Sequence, residues 1–294
     1  MAQVAPIADR RADIDRLRDA VKAAGCFDPE RHDDHALLRF LRARRFDGPK
    51  AERMLLDCEA WRKEFGVEDV VQNFAFPEAA QVARVYPRFY HKTDRAGRPI
   101  YIERLSDFDV KRLFELTDQD RVVRRHVREY EKFLRYRLPA CSARAGTHIE
   151  QGCTIIDLKG VPLAAFNQVR KVLQTLSAIA QNYYPETMGR MFIVNAPTLF
   201  TAVWAVIKGM LDENTVAKIS VLGSAYQKQL LEAIDPSCLP ASLGGACACP
   251  GGCECADIGP WNDGSVKGYP IAFWEEFSKR DGLAPAAPAP ASAP

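Results

Sequence analysis

Between Leu199 and Leu211 the chain reads as a helix that is apolar on nearly every face, with only Thr201, Lys208 and Gly209 interrupting the run. A surface helix of a globular protein carries one apolar stripe and one polar face. A helix that is apolar all round is either buried on both sides or meets hydrocarbon on one of them. The run is too short to cross a bilayer, which takes about 20 such residues. Two readings follow: a central core helix, or a lid with one face over an apolar cavity and the other against a membrane surface. Downstream, Asp212 reads as an N-cap that places Thr215 and Lys218 one turn apart on one face. A hydroxyl beside an ammonium at a helix start suits a phosphate or a sugar headgroup. Ile219–Leu222 then reads as a short buried strand.

Composition narrows the function classes. At 294 residues with 47% hydrophobic and 27% charged content, the chain has the make-up of a globular protein with a sizeable core. A net charge of +2 gives weak steering toward nucleic acid or anionic membrane, so membrane contact is expected to be transient. No secretory-type leader or transmembrane run is read, which points to the cytoplasm. Nine cysteines at mostly core-like positions then suit reduced thiols.

In chain order, Asp9 reads as the N-cap of a helix to Ala24, followed by a helix pair broken at Asp47–Pro49. Arg39, Arg42, Arg44 and Arg45 cluster at the end of the first of these. That cluster is either a solvated face favoured by the helix dipole or a source of one inward arginine for a phosphate; no basic nucleic-acid signature accompanies it. Residues 88–104 read as strand, turn and strand. A helix capped by Thr117 and Asp120 follows and ends before Pro139. Strands at 153–158 and 191–195 alternate with a helix striped by Phe166, Val169, Leu173, Leu176 and Tyr183. Alternation of this kind predicts a mostly parallel sheet with crossover helices. A short helix around Phe273–Phe277 and a disordered Ala/Pro tail from Leu283 close the chain.

There is no HExxH, GxSxG, Walker loop or dinucleotide fingerprint. His32, His35, His91, His126 and His148 are dispersed, with no pair at ligand spacing on a predicted helix. The chain therefore reads as a binder or carrier and not an enzyme. Cys247, Cys249, Cys253 and Cys255 form two CxC units around a Pro-Gly-Gly turn. They read either as a tetrahedral zinc site or as a reduced loop or incidental disulfide.

The segments DHALLRFLRARRFD, FYHKTDRAGRPIYIERL, YRLPACSARAG, CTIIDLKG, SAIAQNYYPETMGRMFIVNAP, LDENTVAKISVLGSAYQKQLLEAI, LPASLGG and ADIGPW together resemble the CRAL-TRIO lipid-binding family, most closely its fungal phosphatidylinositol/phosphatidylcholine transfer proteins. The resemblance implies an α/β fold: a helical N-terminal lobe packed on a lipid-binding domain with a mixed, mostly parallel sheet of five or six strands and a gating helix. The implied domains are 1–75, 76–262 and a C-terminal extension at 263–294. The implied inositol-headgroup residues are Arg44 or Arg45, Glu186, Thr215 and Lys218. Thr187 stands where relatives often carry an arginine. Tyr90, Tyr101, Tyr130 and Thr154 match the phosphatidylcholine pocket, while Gly152 and Ala180 replace two of its serines. The gate falls on Phe200, Val203, Trp204, Ile207 and Met210, with Pro197 and Gly209 as hinges.

The implied function is transfer of single phospholipids between membranes and presentation of phosphatidylinositol to a kinase. The protein is then a monomer on Golgi or endosomal membranes, with lipid cargo and no cofactor beyond a structural zinc. A lipid sensor that binds phosphatidylinositol and a sterol or squalene is the alternative.

Overall fold

The structure, a computed structural model, describes all residues except 1–6, 107, 162, 210, 212, 270–275, 278 and 283–294; for 163–171, 255 and 256 it describes the backbone alone. Asp212, Met210 and most of the helix expected around Phe273–Phe277 thus lie outside the described residues. In chain order the elements are α1 (Arg11–Ala23), α2 (Asp34–Ala43), α3 (Gly48–Phe65), α4 (Val67–Asn73), α5 (Ala79–Val85), β1 (Arg88–Thr93), β2 (Pro99–Arg104), α6 (Val110–Leu116), α7 (Gln119–Lys132) and α8 (Leu138–Ala145). Then follow β3 (Gly152–Asp157), α9 (Leu163–Tyr183), β4 (Met188–Val194), α10 (Phe200–Lys208), α11 (Glu213–Ala217), β5 (Ile219–Val221), α12 (Gln227–Ala233) and α13 (Cys253–Ala256).

The chain divides into two compact units. The first is Met1–Asn73 with Leu173–Thr187, and the second is Phe74–Val172 with Met188–Pro294. The first therefore takes in a segment that the sequence places with the lipid-binding domain. Its core joins Ile14, Leu17 and Val21 of α1 to Leu37, Leu38 and Leu41 of α2 and Met54, Leu55 and Cys58 of α3. The side chain of Asp33 caps α2 by accepting from the Ala36 amide at 2.7 Å, and that of Asp47 caps α3 from Lys50 at 3.1 Å. Trp61 stacks on Tyr183 with ring centroids 4.0 Å apart, which fastens the returning segment to α3.

Three local expectations are corrected. Asp9 is no N-cap: a 3₁₀ turn spans Ile7–Arg10 and α1 starts at Arg11 without a side-chain cap. The cap of α7 is Asp118, one residue beyond Thr117, and the Thr117 hydroxyl instead donates to Glu78 at 3.0 Å. Nor does Pro139 stop the chain's helical course. A π segment, Phe133–Arg137, leads without a break into α8, and Pro139 is the second residue of α8.

The second unit is built on a five-stranded sheet in the order β1-β2-β3-β4-β5. The β1–β2 hairpin is antiparallel and the remaining pairs are parallel. One face is dry: Phe89, Ile100, Ile102, Cys153, Ile155, Phe192 and Val194 pack against Leu230, Ala233 and Ile234 from α12 and just beyond, with Leu239 and Leu243. Such alternation follows from the two-residue side-chain period of a strand. The opposite face carries the site.

Candidate functional site

Strand register aligns two rows of side chains on that second face. One runs Tyr90, Tyr101, Thr154, Met191, Ile219; the other runs Arg88, Glu103, Ile156, Ile193, Val221. All except Ile193 are only half-buried, in contrast to the fully buried face behind them. Over the β4–β5 end lies α10, whose Phe200, Val203, Trp204 and Ile207 pack with Ile156, Met191, Ile193, Ile219 and Val221. Its other side is apolar too, yet Leu199 is 68% exposed and Val206 56% exposed. A central core helix would have both sides covered, whereas the outer side of α10 is open. Gly209 at the helix end is right-handed at φ −68° and needs no glycine, whereas Asn195, at the exit of β4, is left-handed at φ 54°. Its side-chain Nδ2 donates to Asp157 Oδ1 at 2.7 Å, which holds that turn.

The β1–β2 end of the same face is polar. Burial raises the hydroxyl pKa values of Tyr90, Tyr101 and Tyr130, the last to about 12. All three side chains nonetheless keep intermediate exposure. Two guanidiniums join them. Burial alone would lower Arg88, but Tyr86, Tyr101, Glu103 and Glu129 hold it above the ordinary arginine value. Burial and the neighbouring Arg88 push Arg125 down to about 10, still cationic at neutral pH. His126 is driven to about 3, by burial and then Arg88, and is neutral.

Arg88 Nη2, Arg125 Nε and Nη1, and His126 Nε2 are buried with no hydrogen-bond partner among the described residues. Leaving several such groups bare costs about 1–3 kcal/mol each, more when charged. They are therefore a donor set suited to an anion. Beyond them, Arg137 stacks on the Tyr90 ring at 3.8 Å and reaches Glu129 at 3.0 Å.

Gly152 explains one of the missing pocket hydroxyls. A Cβ there would approach the Phe133 ring to 3.1 Å, so an apolar ring from the π segment fills the space where a serine would stand.

The inositol-headgroup residues implied by the resemblance are divided between the units. In the first, Arg44 ends α2 and is half-buried, while Arg45 is exposed. Arg45 and Phe46 both take positive φ, at 52° and 62°, as does Glu186 at 57°. Left-handed backbone at non-glycine residues is uncommon and costs on the order of 1 kcal/mol or more. Thr187 is buried, and its hydroxyl donates to the Tyr184 carbonyl at 2.9 Å. In the second unit, Thr215 lies on α11 and Lys218 follows it, its amide donating to the Thr215 carbonyl at 3.1 Å.

The cysteine tract brings together Cys247, Cys249 and Cys253, while the Cys255 side chain lies outside the described residues. A group that the sequence leaves scattered joins them: His91 of β1. Its ring nitrogen and the three sulfurs lie within 4.8 Å of one another.

A family model described as the CRAL/TRIO domain matches residues 83–245, and one described as the CRAL/TRIO N-terminal domain matches 16–57. The chain is 48% identical over 254 residues to the Sec14 cytosolic factor of Schizosaccharomyces pombe, covering 86% of this chain and 88% of that protein. It is 50% identical over 262 residues to the Arabidopsis thaliana phosphatidylinositol/phosphatidylcholine transfer protein SFH7, covering 87% of this chain but only 48% of that longer protein. Among solved structures, Sfh5 superposes with a TM-score of 0.59 at 21% identity, covering 74% of this chain and 81% of that one; this likeness is one of fold. No helix among the described residues is long and apolar enough to cross a membrane.

Proposed function

The chain belongs to the CRAL/TRIO family, and from that membership we propose that it carries single phospholipids, phosphatidylinositol and phosphatidylcholine, between membranes without catalysing a reaction. The observation that carries this reading is the half-buried sheet face beneath α10, an apolar helix whose far side is exposed. A diacyl lipid has roughly 30 methylenes, each worth ~0.8 kcal/mol on burial, so its escape into water costs over ~20 kcal/mol. A dry hollow under a movable helix lets the chains pass from bilayer to protein without meeting water. Headgroup choice then rests on a few polar groups in an otherwise apolar enclosure.

For phosphatidylinositol we assign Thr215 and Lys218, which lie close in sequence on and just after α11. For the second lipid the bare donors of Arg88 and Arg125 favour a phosphodiester, and the Tyr101 and Tyr130 rings suit a quaternary ammonium. A sterol or squalene offers at most one hydroxyl and would leave most of these donors unanswered, so the sterol-sensing alternative is disfavoured. Replacing Arg125 with Met keeps its stem against Phe76, over whose ring the guanidinium lies at 4.9 Å. Loss of a charged hydrogen bond worth about 1.5–3 kcal/mol should weaken phosphatidylcholine binding roughly 10- to 100-fold and leave phosphatidylinositol binding within twofold. Equilibrium binding of each fluorescent lipid checks this.

The outer face of α10 is the membrane contact on this reading. Paired Leu199→Glu and Val206→Glu substitutions add charge at exposed positions, so stability should shift by less than about 0.5 kcal/mol each. Transfer of both lipids should fall at least tenfold while prebound lipid is retained; unchanged transfer would separate this face from the membrane. The function is tested by transfer of labelled phosphatidylinositol and phosphatidylcholine from donor to acceptor vesicles, where movement of neither lipid overturns it. Delivery of phosphatidylinositol to a kinase at Golgi or endosomal membranes, by a monomer, is the cellular role we attach to this activity.

A further inference from the structure

The buried imidazole of His91 and the sulfurs of the 247–253 tract point to a metal centre on the sheet face opposite the row of Tyr90 and Tyr101. His91 lies on the same side of β1 as Phe89, their rings 6.5 Å apart edge to face, and it is fully buried. Neither its Nδ1 nor its Nε2 has a hydrogen-bond partner among the described residues. An imidazole neither hydrated nor hydrogen-bonded is costly, and three sulfurs are gathered against it. Cys247, Cys249 and Cys253 present theirs within 4.8 Å of the ring nitrogen and of one another.

We propose that His91, Cys247, Cys249 and Cys253 bind one zinc ion as a structural Cys₃His site. A tetrahedral zinc with thiolates at about 2.3 Å sets neighbouring sulfurs about 3.8 Å apart, and Cys247 Sγ and Cys249 Sγ already stand at 3.6 Å. The loop geometry supplies the third sulfur. Gly251 and Gly252 take φ values of 76° and 96°, which only glycine adopts readily, and the resulting turn folds Cys253 back so that its sulfur lies 3.4 Å from the Cys247 carbonyl.

The charge also closes. Zn²⁺ displaces one proton from each of three thiols and binds the neutral imidazole, leaving a net charge of −1. The Lys92 ammonium lies beside Cys247, close enough to stabilise its thiolate. Bound metal would pin the 247–258 segment, α13 included, along β1, an edge strand whose Lys92 amide donates to the Ile258 carbonyl at 2.6 Å. Covering an edge in this way also blocks pairing with another chain.

Elemental analysis of the full chain, purified under reducing conditions without added metal, is expected to find about one zinc per molecule. His91→Ala and Cys253→Ser should each reduce it at least fivefold, and Cys255→Ser should leave it unchanged. His91→Cys keeps a ligand at this place and should retain zinc, which guards against misfolding of the alanine variant. Cobalt exchanged into the wild-type site should give thiolate-to-metal charge transfer with tetrahedral d–d bands, and removal of zinc by a chelator should lower the unfolding midpoint by at least about 5 °C. Absence of metal with every thiol freely titratable would overturn the proposal. So would a Cys247–Cys249 disulfide, or zinc lost in Cys255→Ser but kept in His91→Ala.

Discussion

Lys218→Glu is expected to abolish phosphatidylinositol transfer, by a factor on the order of 100, while phosphatidylcholine transfer and the unfolding midpoint stay nearly unchanged. The backbone at this position is fixed by the fold: the Lys218 carbonyl accepts from the Met191 amide of β4 at 2.9 Å and its own amide bonds Thr215. The side chain is half-buried and outside the hydrophobic cores, so reversing its charge leaves the packing alone. Removing an ammonium from a phosphate loses about 1.5–3 kcal/mol, and a carboxylate in its place adds repulsion at short range. Parallel vesicle assays with the two labelled lipids read the split. Equal loss of both lipids, or undiminished phosphatidylinositol transfer, would remove Lys218 from the headgroup site.

Asp281→Ala is expected to cost about 3–5 kcal/mol of stability, because it strands a buried guanidinium. Arg128 of α7 is fully buried, and its Nη2 donates to both Asp281 carboxylate oxygens, at 2.7 and 2.5 Å, while Nη1 donates to the Phe74 carbonyl at 2.8 Å. Its guanidinium also lies over the Phe74 and Phe277 rings at 5.2 and 5.5 Å. The expected fall in unfolding midpoint is roughly 6–12 °C for a chain of this size. The paired variant Arg128→Met with Asp281→Ala removes the stranded charge and should recover at least half of the loss, as buried ion pairs exchanged for apolar groups often do. Thermal unfolding of both variants by circular dichroism decides it; a double variant no more stable than Asp281→Ala alone would contradict this account.

What the sequence discloses and what it hides follow from how each element is stabilised. The hairpin at 88–104, the later strands and α10 are legible because local periodicity mirrors burial: alternation in Phe89, Ile100 and Ile102, and a run from Leu199 to Leu211 that is apolar at all but three positions. The headgroup and tyrosine residues are reached through resemblance, since no local pattern marks Tyr90, Tyr101 and Thr154 as one row. Register does that, pairing β1 with β2 and β2 with β3.

Arg88, Arg125 and Arg128 escape notice for the opposite reason. A charge on a strand or an amphipathic helix reads as a solvated face, and only tertiary structure turns these inward. The same blindness covers His91. Its place in an alternating strand announces burial, but its sulfur neighbours lie far along the chain and meet it only when the 247–253 loop folds onto β1. Asp281 lies just before the Ala/Pro tail, in a stretch to which the sequence gives no role, yet it reaches back to α7.

The central claim is that one phospholipid occupies the enclosed sheet face beneath α10. Mass measurement of the intact, gently purified protein, followed by lipid analysis of the same sample, tests it most directly. The prediction is a single bound phospholipid per chain, with phosphatidylinositol and phosphatidylcholine as the species recovered. A chain that emerges empty and accepts neither lipid from vesicles, or one loaded with sterol alone, would contradict it.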